Sequence, residues 1–161
     1  MPSRGLTIRS QGHSTPRDIR SNHDNRELYV QICTPGPDGA IHWMIAMRYP
    51  GSDRCTRLHS TGCIGDRRLD IEHGKRFDSR SVEHTHFLGK ICERDSTIVE
   101  REARKIPLQS CQLWACYLIL RLERRGLLEK GSYNHYMHCY EHILDEDYGP
   151  GHDGLCPIHG H

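Results

Sequence analysis

No apolar stretch in this 161-residue chain approaches the roughly 18 residues that a membrane-spanning helix requires. The longest, Cys111-Gln112-Leu113-Trp114-Ala115-Cys116-Tyr117-Leu118-Ile119-Leu120, falls well short, so no transmembrane segment is expected. An excess of charge is missing too. Lys and Arg total 22 against 21 Asp and Glu, a formal net charge of +1 with His neutral. Without a dominant sign there is no long-range field to gather nucleic acid, an anionic membrane or an acidic substrate. A Gly-rich phosphate loop after a strand, a Ser nucleophile elbow and a His-Glu-x-x-His helix are all absent. No repeat with a period of about 20–50 residues is visible. The first ten residues lack the apolar core of a secretory signal, so the expectation is a reducing, cytoplasmic setting.

What the chain has instead is thiol and imidazole: 8 Cys and 13 His. Eight is an even number, which admits a disulfide framework, but the chain is longer than disulfide-dense mini-domains and can build a core without staples. Free thiols are expected. The histidines add positive charge below about pH 6.5, making net charge sensitive to acid without defining a sensor.

Residues 1–25 mix Ser, Arg, Gly, Pro, Asn and Gln without apolar periodicity and read as a solvated tail. From there to residue 148 the pattern is that of one α+β domain. Leu28-Tyr29-Val30-Gln31-Ile32-Cys33 and Ile41-His42-Trp43-Met44-Ile45-Ala46-Met47-Arg48-Tyr49 carry β-branched and aromatic residues, separated by the turn signal Pro35-Gly36-Pro37-Asp38-Gly39. After Pro50-Gly51-Ser52-Asp53 comes a more polar strand over 55–60, completing an antiparallel meander. Weaker strands are expected near 69–72 and over 83–92. Asp95 or Ser96 caps a helix to about Lys105, which Pro107 stops. The helix from about Ser110 to Arg125 is apolar on all sides at its centre, which predicts an enclosed element, and Gly126 suits a left-handed stop. A last helix spans about 132–145, and residues 149–161 form a Gly- and His-rich tail.

Cys111 stands directly behind the helix-capping candidate Ser110. First-turn N–H groups have no intrahelical partner and carry partial positive charge, which favours thiolate over thiol. Cys111 is therefore a candidate nucleophile, the competing reading being a small apolar residue covering a core helix, as expected for Cys116. His42-Trp43 on an early strand, His59 in Leu58-His59 on the next, and Ser110-Cys111-Gln112-Leu113-Trp114 at a helix start together resemble the circularly permuted papain-like thiol hydrolases, the group containing the lecithin retinol acyltransferase-like proteins. The resemblance covers roughly residues 26–128, with Ser110 where the group more often has Asn. It implies a permuted papain-like fold, an antiparallel sheet packed on a buried central helix, and cysteine-dependent acyl hydrolysis or transfer on an amide, ester or thioester. Cys111 would be the nucleophile, His42 its proton partner and His59 the group that orients His42. Pairing with His42 at a helix terminus would lower the thiol pKa and make Cys111 the most reactive of the eight cysteines. An oxyanion would sit at the Cys111 N–H, with Gln109 or Gln112 as a further donor.

A second constellation lies toward the C-terminus: His135, His138, Cys139 and His142, followed by His152, Cys156, His159 and His161. Imidazole and thiolate are zinc ligands, and spacings of three and four place the first set on similar faces of a helix. His135-Tyr136-Met137-His138-Cys139 is also similar to the His-x-x-His-Cys signature of a fungal family of oxidative peptide-cyclising proteins, over five residues. The function expected is thus a thiol acyl hydrolase or acyltransferase acting on a small-molecule or peptide acyl substrate without a cofactor. The alternatives are a non-enzymatic binding domain of the same fold and a zinc protein built on the C-terminal cluster.

Overall fold

The computed structural model describes residues 25–147, with side chains to residue 140. The expected tails, 1–25 except Asn25 and 149–161 with His152, Cys156, His159 and His161, lie outside the described residues. Five strands come first: β1 (Asn25–Cys33), β2 (Trp43–Arg48), β3 (Arg54–Thr61), β4 (Arg68–Arg76) and β5 (Val82–Cys92). A 3-10 turn, Glu93–Asp95, leads into α1 (Ser96–Lys105), α2 (Cys111–Arg124) and α3 (Ser132–Asp147). The strands form one antiparallel sheet in the order β4-β3-β2-β1-β5. β1 to β3 make the predicted meander, β4 extends it by one strand, and β5 returns to the outer side of β1. The expected α+β class is therefore observed, with β4 longer than the segment read from the sequence.

Register sorts the strand residues between two faces. Val30 pairs with Ile45 and Ile45 with Leu58, so these side chains project to the same side. With Leu28, Trp43 and Met47 they are buried against Leu113, Trp114, Leu118, Ile119 and Leu122 of α2. The all-round apolar character of α2 follows from its position, with the sheet on one side and α1 and α3 also packed against it. α2 ends as expected: Gly126 has φ of 72°, and its N–H donates to the Glu123 carbonyl at 2.9 Å.

The opposite face carries a small apolar cluster of Ala46, Cys55 and Phe77 beside a buried polar network. Arg57 Nε donates to Gln31 Oε1 at 3.2 Å, and Arg57 Nη2 to the Arg76 carbonyl at 2.9 Å. Gln31 Nε2 donates in turn to the Phe77 carbonyl at 3.0 Å, so the buried polar groups satisfy one another. The seven cysteines among the described residues are all free thiols.

Candidate functional site

β2 begins at Trp43, whose side chain is anchored in the core, and this leaves His42 at the rim of the sheet. The His42 carbonyl accepts from the Cys33 N–H at 2.8 Å, which fixes the backbone there. Strand alternation places His59, next to the core residue Leu58, on the face turned away from α2. On β4, Ile71 pairs with Leu58, so Glu72 projects to the same side as His59. The three side chains are connected: His42 Nε2 to His59 Nδ1 at 2.7 Å, and His59 Nε2 to Glu72 Oε2 at 3.0 Å.

This chain fixes the tautomers. An ionised carboxylate only accepts, so an uncharged His59 carries its proton on Nε2 and leaves Nδ1 as acceptor. His42 must then donate from Nε2, and its remaining lone pair is on Nδ1. Burial works against the Glu72 carboxylate, but hydrogen bonds from His59 and Lys75 hold it below the usual carboxylate range, so it is charged at neutral pH. Burial, reinforced by the neighbouring His59, lowers His42 to about 4 despite the opposing pull of Asp70 and Glu72. The His42 ring is neutral at pH 7 and has a free basic nitrogen.

The N-terminus of α2 meets this rim from the helix side. Cys111 and His42 line one open cavity of about 610 Å³, together with Ile41, Ser60, Cys63 and Ser110. Ser60 ties the approach to the helix in place by donating from Oγ to the Gln109 carbonyl at 2.7 Å. The Cys111 thiol bonds to the Ile41 carbonyl at 3.8 Å, and no hydrogen bond joins it to the His42 ring. The expectation of a lowered thiol pKa is not met. Burial pushes the Cys111 thiol up, and the opposing effect of the Trp43, Gln112 and Cys111 backbone N–H groups does not reverse it. At rest the site holds a neutral thiol and a neutral imidazole, because burial disfavours the charged form of each.

Neither glutamine side chain faces the thiol. Gln112 Nε2 donates to the Ile41 carbonyl at 2.9 Å, where it braces the same backbone turn that receives the thiol. Gln109 is buried and lines a different cavity, on the far side of the α1–α2 connection. Neither occupies the expected oxyanion position. Ser110 is the N-cap of α2 by position, but its side chain makes no capping bond, and its buried Oγ lacks a hydrogen-bond partner at the edge of the thiol cavity.

Sequence reasoning passed over Glu72. The signal was present in the alternation Asp70-Ile71-Glu72: an apolar residue aimed at the core requires the flanking acids to project toward the outer face, as His59 does.

At the second constellation, Cys139 Sγ lies 3.9 Å from His135 Nε2, and His135 and His138 are exposed. Among the described residues no three or more His, Cys, Asp or Glu side chains converge in a metal-binding arrangement. The side chain of His142 lies outside them.

The described part of the chain is a five-stranded antiparallel α+β protein with a thiol and a carboxylate-anchored histidine pair at one rim of its sheet. Comparison with protein-family models, with curated proteins and with solved structures finds no match to this chain.

Proposed function

We propose that the protein is a cysteine-dependent acyl hydrolase or acyltransferase of the permuted papain-like kind, acting on an amide, ester or thioester. The observation that carries this reading is the Glu72–His59–His42 hydrogen-bond chain, which ends in the cavity that Cys111 lines. An acyl compound bound there would face a cavity wall that carries both a sulfur nucleophile and an uncharged base. His42 Nδ1 takes the thiol proton as sulfur bonds to the acyl carbon, and the carbonyl electron pair moves onto oxygen. The imidazolium formed is supported by His59 and, through it, by Glu72. Collapse of the intermediate expels the leaving group, which recovers the proton from His42, and leaves an acyl thioester on Cys111. Water or an acceptor alcohol or amine then attacks the thioester, with His42 again acting as base. No cofactor enters these steps.

Incubation with a p-nitrophenyl ester or an acyl thioester, followed by mass spectrometry of the intact protein and its peptides, tests the reading. The expected result is a single acyl group on the Cys111 peptide, absent in Cys111→Ser and slowed at least 100-fold in His42→Asn. Turnover that persists unchanged in folded Cys111→Ser would overturn it. One observation favours the non-enzymatic alternative: the thiol bonds to a carbonyl rather than to the imidazole. Under that alternative the cavity binds acyl compounds without forming any adduct.

A further inference from the structure

A second cavity, of about 440 Å³, lies away from the thiol, between the α1–α2 connection and one face of α2. Its size is within the range of small-molecule sites. Ile106, Pro107 and Leu120 give it an apolar wall, Tyr117 and Tyr133 add aromatic rings, and Arg121 and Arg124 line it toward the end of α2. The two arginines are not equivalent. Arg121 is held by Glu102 at 2.6 Å, whereas Arg124 makes no ion pair among the described residues.

Gln109 lines the same cavity and is only 5% exposed, yet its Oε1 has no hydrogen-bond partner among the described residues. A buried acceptor left unsatisfied keeps its full desolvation cost, so it is well placed to receive a donor from a ligand. Gln109 precedes α2, while Arg124 ends it. The helical rise from Cys111 to Arg124 is about 20 Å, shortened by the backward lean of a helical arginine side chain. Gln109 and Arg124 thus stand toward opposite ends of α2, and the cavity wall between them is made of Ile106, Pro107 and Leu120 with the rings of Tyr117 and Tyr133.

We infer that this cavity is a binding site for an elongated amphipathic anion. The ligand's carboxylate faces Arg124, its apolar body lies along Ile106, Pro107 and Leu120, and a hydroxyl or N–H at its far end donates to Gln109. The site is separate from the thiol cavity and does not depend on acyl chemistry.

Calorimetric titration of the full chain with 10-hydroxydecanoate, decanoate and 1-decanol tests the assignment. Saturable one-to-one binding of 10-hydroxydecanoate is expected. Arg124→Ala, a change on the exposed side of α2, should weaken both carboxylates about tenfold and leave decanol unaffected. Gln109→Leu should weaken 10-hydroxydecanoate about threefold or more relative to decanoate. Absence of saturable binding up to millimolar ligand, or equal affinity in wild type and Arg124→Ala, overturns the proposal. Binding that is abolished by alkylating Cys111 but indifferent to Arg124→Ala also overturns it, because the ligand would then occupy the thiol cavity.

Discussion

Cys111 and His42 are both desolvated, and desolvation acts on them in opposite senses, raising the thiol and lowering the imidazole. Reactivity in the resting site is therefore suppressed, in contrast with a preformed thiolate–imidazolium pair. Iodoacetamide labelling at pH 7 with peptide mass spectrometry should modify the exposed Cys63 and Cys92 faster than Cys111. Fastest labelling of Cys111 would instead show an ionised thiol and remove the neutral-pair account. Glu72 tests the other end of the chain. Replacing it with Gln keeps the shape but lets an amide donate to His59, so the tautomers of both rings are no longer fixed. A loss of about 10–100-fold in kcat/KM is expected, the scale on which outer groups that hold a metal-bound imidazole act, with a small fall in melting temperature because the charged hydrogen bonds to His59 and Lys75 are lost. An unchanged kcat/KM in Glu72→Gln would show that the carboxylate has no part in the reaction.

Among the elements, the β3–β4 turn and the α1–α2 packing are the most sensitive points. Gly62 has φ of 90°, and a Cβ there would overlap the Asp66 carbonyl oxygen, so the turn admits only glycine. Because the turn walls the thiol cavity, Gly62→Ala should lower stability by about 1–3 kcal/mol and raise KM for any acyl substrate. Urea denaturation and steady-state kinetics read the two effects separately. On α1, Glu102 is 2% exposed and accepts from Arg121 at 2.6 Å, Arg125 at 2.7 Å and Lys105 at 3.2 Å. Burial opposes its charge, but the three cations prevail and hold it at about 2. Glu102→Gln removes the charge that joins α1 to α2. Since the arginines can turn to water, the expected loss is about 1–3 kcal/mol in urea denaturation, not the full penalty of a broken, wholly buried pair.

For the whole molecule these shifts become a dependence of stability on acid. His42 binds its proton near pH 4 when folded, against about 6.5 when unfolded, so the unfolded state takes up more protons as pH falls through that interval. Its contribution is complete above about pH 6.5 and is lost on the way down to 4, on the order of 3 kcal/mol. Glu102 also has a lowered folded pKa, so its contribution is present above about 4.5 and is lost as pH falls toward 2. Urea midpoints measured from pH 8 to 3 should decline in two successive stages. The upper stage should flatten in His42→Asn and the lower one in Glu102→Gln. A midpoint independent of pH between 6.5 and 4 would contradict the buried neutral imidazole.

The order of strands and helices, the enclosed α2 and its glycine stop were legible in the sequence because each rests on local physics. Turn residues, alternation and apolar periodicity act over a few neighbours. The first β-hairpins also follow from short connections, so His59 could be placed on its strand before any coordinates, whereas His42, expected on the neighbouring strand, stands just before it because β2 begins only at Trp43. What the sequence left undetermined were the properties set by distant parts of the chain. Pairing of β5 with β1 required closing a long loop. The direction of the Cys111 and His42 shifts depended on how completely the packed sheet and helix exclude water. Gln109 and Gln112 were separated by the path of the chain into α2, which turns one away from the thiol and ties the other to Ile41. Glu72 became part of the histidine chain only through the register of β4 on β3. Solvent exclusion and cross-strand register arise from contacts between residues far apart in sequence, and those contacts exist only in the assembled tertiary structure.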